Sequence, residues 1–350
     1  VLKQTFLDFE FLIINDRSRD QSEHDINSFK DERIRLINNE SNLGQTCSLN
    51  KGLALAKGRY IARIDADDLA FPTWLEKNLA LLEAQPLTAV VSCKAVVIDS
   101  ANKIQKILST PSIYEEMVLR SLTATPLNHV GSVYKTDVIA SVGGYDENYR
   151  IAADFGLWSK LIRRGIRLAS TEELLVAVRV HENSASIIER GRADIAEISD
   201  IMAGNFQSLV GFAVSRDDVV LLWELNYATE QLTEKEFQEA IALLHKAYEN
   251  INPQFAISRE IIQNFEGHQK YVLYAKRALG NIAEGNLKQL RILTEDYHKS
   301  EGLFNIFSLL WLGSWLGNST IKHLPLVYER WRGWSARSKV QQQVYLELIY

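Results

Sequence analysis

One stretch constrains this chain more than any other: Gly58-Arg59-Tyr60-Ile61-Ala62-Arg63-Ile64-Asp65-Ala66-Asp67-Asp68, an apolar strand-length run that ends in three carboxylates. The turn glycine in front of Tyr60 marks where the strand begins. Phe71-Pro72-Thr73 marks where a helix starts after it. In open α/β sheets, ligands collect outside the carboxyl ends of the strands. Acids crowded at such an end repel one another unless a cation neutralises them. Hard oxygen ligands suit Mg²⁺ or Mn²⁺. A divalent ion presented there suits a nucleotide diphosphate.

The remaining sequence is consistent with that kind of fold. Runs at 9–14, 34–37 and 89–98 are strand-like, and helical spacing covers 22–29, 46–56 and 73–83. Further on, 113–122, 136–142 and 154–164 are expected as helices, with strands at 132–134 and 174–180. Strands alternating with helices at these intervals predict a mainly parallel sheet sandwiched by helices. After about Ser186 only long helical patterns continue, at 218–227, 234–248 and 268–283. Two domains are therefore expected: residues 1–185 as the α/β domain and 186–350 as an α-helical one.

With a net charge of −5, the chain offers no electrostatic footprint for nucleic acid. Cys47 and Cys93 are too few and too far apart for a disulfide framework or a zinc site, which points to a reducing compartment. Neither a signal peptide nor an apolar run of about 18 residues is present, so a cytoplasmic location is expected. The sequence opens at Val1, close to a strand and without Met.

Several blocks, in order, resemble the family 2 inverting glycosyltransferases of the GT-A fold. Gln4-Thr5 with Glu10, then Asn15-Asp16-Arg17-Ser18, is similar to the family's first block. Asn42-Leu43-Gly44, Asn50-Lys51-Gly52, Ala56-Lys57-Gly58 and Tyr60-Ile61 are similar to the second. Asp65-Ala66-Asp67-Asp68 is similar to the metal motif usually called DXD. Gly143-Gly144-Tyr145-Asp146, Ala153-Asp154 and Leu157-Trp158 are similar to the acceptor-side block, and Arg179-Val180-His181 to a final basic pair. Ordered agreement over about half the chain is more specific than any single motif.

The resemblance implies a nucleotide-sugar donor, held by Asp16, Asn42, Gly44, Asn50, Asp65 and Asp67. It implies Mn²⁺ or Mg²⁺ on Asp67 and Asp65, with His181 completing the shell or touching the diphosphate. Asp154 is the expected general base, and N-cap of its helix is the plainer alternative. Gly144, Tyr145 and Trp158 are expected at a glycan or lipid-linked glycan acceptor, although Trp158 also lies on an apolar helix face. Two departures stand out: Asn15 replaces an acid, and Arg17 replaces a glycine that tolerates conformations arginine does not. The family also begins with a strand and helix upstream of Val1, so this chain is expected to lack them.

Two other functions share much of this pattern: a non-catalytic scaffold of the same fold, and a sugar nucleotidyltransferase. A glycosidase built on a carboxylate pair is a third. In the C-terminal part, the apolar run 303–316 and the basic, Trp-bearing segment 321–340 fit either a helix at a membrane interface or a buried helix of the second domain. Peripheral contact with the inner face of a membrane through 303–340 is the expectation that follows from the first.

Overall fold

A computed structural model describes residues 1–181, 195–229 and 231–283. The segment 303–340 and the expected boundary at Ser186 lie outside the described residues. The chain divides into two units, Val1–Ala213 and Val214–Tyr350.

In the first unit, β1 (Phe11–Asn15) pairs in parallel with β2 (Ile34–Asn38), joined through helix α1 (Ser22–Ser28). Helix α2 (Gln45–Leu55) leads to β3 (Tyr60–Ala62), the strand in front of the acidic loop. A two-residue strand β4 (Leu69–Ala70) and helix α3 (Trp74–Ala84) follow, then the long strand β5 (Thr88–Ile98) and its neighbour β6 (Ile104–Leu108). Helix α4 (Tyr114–Arg120), strand β7 (Val133–Lys135) and helices α5 (Thr136–Ser141) and α6 (Ala153–Arg163) precede the last strand, β8 (Arg167–Arg179).

The second sheet runs in the order β3-β7-β5-β8-β4, with β6 also on β5. Its centre, β5, is buried almost throughout, as its continuous β-branched run requires. The α/β class and the flanking helices agree with expectation, but the directions are mixed. Only β1 with β2 and β5 with β8 run parallel; β3 with β7, β7 with β5, β6 with β5 and β4 with β8 are antiparallel. Strand β4, two residues long, gives too few residues for a sequence period, and β6, Ile-Gln-Lys-Ile-Leu, breaks the alternation with two adjacent polar residues, which is why the sequence did not announce them.

The core beneath the site is built from Trp74, Leu75 and Leu82 of α3 against Val91, Cys93 and Val176 of the sheet. Gln4 fixes this helix from the far end of the chain. Its side chain donates to the Phe71 carbonyl at 2.6 Å and accepts from the Leu75 amide at 2.9 Å. The helix start has no side-chain cap of its own, so Gln4 satisfies one of its orphan N–H groups. Thr5 adds a hydrogen bond to Glu76 at 2.6 Å.

The expected domain boundary needs correction. Helix α7 (Ile195–Asn205) and the π turn after it, Phe206–Val210, belong to the first unit, not to a separate helical domain. Asn205 is fully buried and donates to the Ser121 carbonyl at 2.7 Å and to Ser159 Oγ at 2.9 Å. These two bonds from its Nδ2 tie the helix to α4 and α6. Beyond Ala213 the described part of the second unit is helical: α8 (Arg216–Tyr227), α9 (Glu234–Glu249) and α10 (Arg259–Ala283). Ser215 with Asp218 and Thr233 with Glu236 form capping boxes at α8 and α9. Arg277 is buried there, holding the Thr229 and Leu232 carbonyls at 2.9 and 2.8 Å. Among the described residues no helix is long and apolar enough to cross a membrane.

Candidate active site

The acidic loop leaves β3 and is clasped by the end of β8. Arg179 donates its amide to Asp68 at 2.7 Å and its Nε to the Asp67 carbonyl at 3.1 Å. Its Nη1 reaches the Asp99 carbonyl and Asn102 at 3.1 and 2.9 Å. This arginine thus holds the loop in place. Burial, with Asp65 and Asp67 adding to it, pushes the Asp68 carboxyl up to about 7 against the Arg179 amide. Two residues past Arg179, His181 Nε2 lies 3.3 Å from Asp67 Oδ2.

Asp65 points elsewhere. Its carboxylate is paired with the guanidinium of Arg63, a side chain only 6% exposed. Among the described residues no group of three or more His, Cys, Asp and Glu side chains is arranged to hold a metal ion. The expected three-residue set therefore reduces to Asp67 and His181, because Asp65 is engaged by the buried cation next to it. Mg²⁺ usually keeps several waters and takes one or two carboxylates together with phosphate oxygens. The exposed Asp67 carboxylate fits that donor set.

On the donor side, Asp16, Asn42 and Gly44 come together. Asp16 accepts from the Leu43 and Gly44 amides at 2.8 and 2.9 Å and from Asn39 at 2.8 Å, while Asn42 donates to the Asp16 carbonyl at 3.1 Å. Burial would raise the Asp16 carboxyl, but these donors outweigh it and hold it below its ordinary value. The carboxylate thus serves first as a clamp on the loop that starts α2. Arg17 adopts a left-handed φ of 64°, the conformation a glycine would take without strain. Replacing Arg17 by Gly is expected to leave the unfolding free energy level or raise it by about 1 kcal/mol. Arg17→Val, which is β-branched, should lower it by about 1–2 kcal/mol. Chemical denaturation of both variants checks the difference.

The acceptor-side expectations change most. Asn50 does not face the donor: it donates to the Tyr145 carbonyl and to Glu147, both at 3.0 Å, and accepts from the Tyr145 amide at 2.9 Å. Gly144 sits at φ +64°, and a Cβ there would meet Asn50 Oδ1 at 2.7 Å. The pair is a lock between α2 and the 144–147 loop. Tyr145 is buried, with its hydroxyl 2.7 Å from His129 Nε2 and 3.3 Å from the Tyr134 hydroxyl. Trp158 is fully buried, edge-on to the rings of His129 and Tyr134. Neither ring is open to a sugar. Both belong to the core, because the apolar face of α6 is turned into it.

Asp154 lies half-buried in the first turn of α6, its Oδ1 accepting from the Phe155 amide at 2.7 Å. It is not the N-cap, which falls at Ala152. The amides before the helix are taken by another carboxylate: Glu197 of α7 accepts from Arg150 at 2.9 Å and from Ile151 and Ala152 at 3.0 Å. Tyr149 adds a hydrogen bond to Asp200. Burial raises the Asp154 carboxyl above its ordinary value, the Phe155 amide and Arg63 oppose this, and Asp65 adds to it. Asp154 therefore feels the charges of the acidic-loop side. Glu197 and Arg63 were missed from sequence: Glu197 lies far along the chain in an ordinary helical pattern, and Arg63 reads as one polar residue in a strand.

The mixed α/β sheet, the acidic loop at a strand end and the flanking helices define a GT-A-type domain. Residues 1–142 match the family model described as glycosyl transferase family 2. That match lies wholly within the first unit. A protein of Haemophilus influenzae described as an uncharacterized glycosyltransferase is 31% identical over 54% of this chain and 61% of its own length. The UDP-Glc:alpha-D-GlcNAc-diphosphoundecaprenol beta-1,3-glucosyltransferase WfaP of Escherichia coli is 27% identical over 53% of this chain and 71% of its own. The chain spans less than two thirds of the length of the first of these relatives. The crystal structure of Staphylococcus aureus TarS 1-349 aligns over 85% of each chain with 16% identity and a TM-score of 0.49.

Proposed function

We propose that this protein transfers a sugar from a nucleotide-diphosphate sugar to a hydroxyl of a glycan or lipid-linked glycan, with inversion and with Mn²⁺ or Mg²⁺. The observation that carries the reading is the acidic loop at the end of β3, where Asp67 lies 3.3 Å from His181 and Arg179 holds Asp68. Side chains from separate stretches thus address one region. The printed substrates of WfaP, a UDP-glucose donor and a diphosphoundecaprenol-linked acceptor, support this choice of substrate class.

Under this reading the loop clamped by Asp16 receives the nucleoside. Asp67 and His181 would hold the cation, which would supply positive charge for the departing diphosphate. Arg179 keeps Asp67 and Asp68 at the strand end. Asp154 accepts the proton of the acceptor hydroxyl as its oxygen attacks the anomeric carbon. A carboxylate with a raised pKa is a stronger base than an exposed one.

A donor screen on the full chain tests the reaction, with Mn²⁺ or Mg²⁺, UDP-glucose among the donors, and a lipid-linked or free glycan acceptor. Release of nucleoside diphosphate with an inverted product supports it. Pyrophosphate release indicates a nucleotidyltransferase, free sugar alone a hydrolase, and binding without turnover a scaffold. Asp67→Ala is expected to abolish metal-dependent turnover while leaving the thermal unfolding temperature unchanged, since its carboxylate is 43% exposed. Calorimetric titration with Mn²⁺ should show the same loss.

A further inference from the structure

Strands β5 and β8 stay paired to their last residues, Ile98 opposite Arg179, and the Val180 amide donates to the Ile98 carbonyl at 2.8 Å. Arg179 therefore leaves the sheet beside the turn that joins β5 to β6. That turn is tightly built. Asp99 accepts on one carboxylate oxygen from the Ala101 and Lys103 amides, both at 2.9 Å, and on the other from Gln105 Nε2 at 2.7 Å. The Asp99 amide donates to the Lys103 carbonyl at 3.1 Å, and the Asn102 amide to the Asp99 carbonyl at 3.0 Å. Asn102 takes a left-handed φ of 61°, which asparagine tolerates better than most residues.

One guanidinium connects this turn to the acidic loop. Arg179 Nη1 donates to Asn102 Oδ1 at 2.9 Å and to the Asp99 carbonyl at 3.1 Å, while Nε of the same plane donates to the Asp67 carbonyl at 3.1 Å. The N–H directions of a guanidinium are fixed relative to one another, so the turn that sets Nη1 also sets Nε. Asp67 carries both the carbonyl that Nε holds and the carboxylate that lies 3.3 Å from His181. Without the two acceptors of the turn, the guanidinium loses the contacts that fix its plane.

We propose that the β5–β6 turn belongs to the donor-side machinery, with Asn102 as a positioning residue that holds Asp67 in place through Arg179. The consequence for cation binding rests on reading Asp67 as the cation's ligand. Such a ligand has to be kept within about 0.5 Å of its productive position. Asn102 bonds to Arg179, not to the carboxylate it positions, and acts through that arginine alone.

The test uses the full chain and begins metal-free. NMR follows hydrogen exchange of the Arg179 Nε–H and of the Asp68 amide, which donates to the Asp65 carbonyl at 3.3 Å. Asn102→Gly keeps the left-handed turn and removes the side-chain acceptor. Both protons are expected to exchange about three times faster or more in that variant. Asn102→Asp, which keeps an acceptor oxygen toward Arg179, should restore the parent rates. Gln105→Ala removes a bond within the same turn without touching Arg179 and should leave them unchanged. In calorimetric titration with Mn²⁺, Asn102→Gly should weaken binding by about three- to tenfold, the scale of one ordinary hydrogen bond. Arg179→Lys, whose ammonium lacks the planar fork, should weaken it at least as far, and Asn102→Gly should add nothing in that background. Unchanged exchange or unchanged Mn²⁺ affinity in Asn102→Gly, or a full further loss in the Arg179→Lys background, overturns the proposal. A parent chain that takes up no Mn²⁺ removes the cation reading of Asp67 alone, and faster exchange in Asn102→Gly then still upholds the tie between turn and loop.

Discussion

Asp154→Asn is expected to lower sugar transfer by about 10²–10⁴-fold, the range for loss of a positioned general base, while donor binding is retained. The amide keeps the shape of the side chain and its bond to the Phe155 amide, so the loss isolates the proton-accepting oxygen. In the parent, transfer should rise with pH through the Asp154 pKa, which lies above the ordinary carboxyl value. That limb should be missing from any residual activity of the variant. Stability gives an independent check with a definite sign. A carboxyl whose folded-state pKa is raised contributes stability below its unfolded value, and that contribution is lost as pH rises through the folded pKa. The uncharged variant should therefore unfold at a higher temperature than the parent at neutral pH, with the gap closing toward about pH 4. Unaltered transfer in Asp154→Asn removes Asp154 from the mechanism.

Glu197→Ala should produce the largest loss of stability among the site's supporting residues. Three amides in front of α6 lose their shared acceptor at once. Because part of this set is exposed, water replaces some of the loss, and a drop of about 2–3 kcal/mol in unfolding free energy is expected. Glu197→Gln keeps one acceptor oxygen and should cost about half as much. The functional signature should be a fall in kcat with donor KM little changed, since the donor-side clamp at Asp16 shares none of these bonds. Denaturant titration and steady-state kinetics on the same preparations check both. Equal damage to donor KM would mean that Glu197 supports the whole domain rather than the Asp154 helix.

Much of the fold was legible because its signals are local. The β5 run is mostly apolar and rich in β-branched residues, and the expected helices at 46–56, 73–83 and 154–164 fall within a residue or so of α2, α3 and α6. The acidic loop and His181 were legible as a motif, and the structure brings Asp67 and His181 together. Strand direction was not, since β3, β7 and β4 are too short to show how they pair. Residue roles were legible only where the job is local. Asn50 and Gly144 carry the expected motif spacing, yet their task is to meet each other across 94 residues of chain, a contact no single stretch announces. Tyr145 and Trp158 look like sugar platforms in sequence because flat rings serve cores and ligands equally well. Arg63 was hidden for the opposite reason: a cation just past the end of a strand is judged by whether its donors find partners, which only coordinates reveal.

The family match stops at Val142, two residues before Gly144. Asp16, Asn42, Gly44, Asp65 and Asp67 lie before that point; Asp154, Glu197 and the loop between Gly144 and Ala152 lie after it. The segment following residue 142 is nevertheless built into the same sheet: β8 lies alongside β5 and β4, and its last residue, Arg179, holds the acidic loop. Neither half can therefore be exchanged whole, and freedom to vary is confined to turns such as the one from Gly144 to Ala152, which no strand pairing constrains.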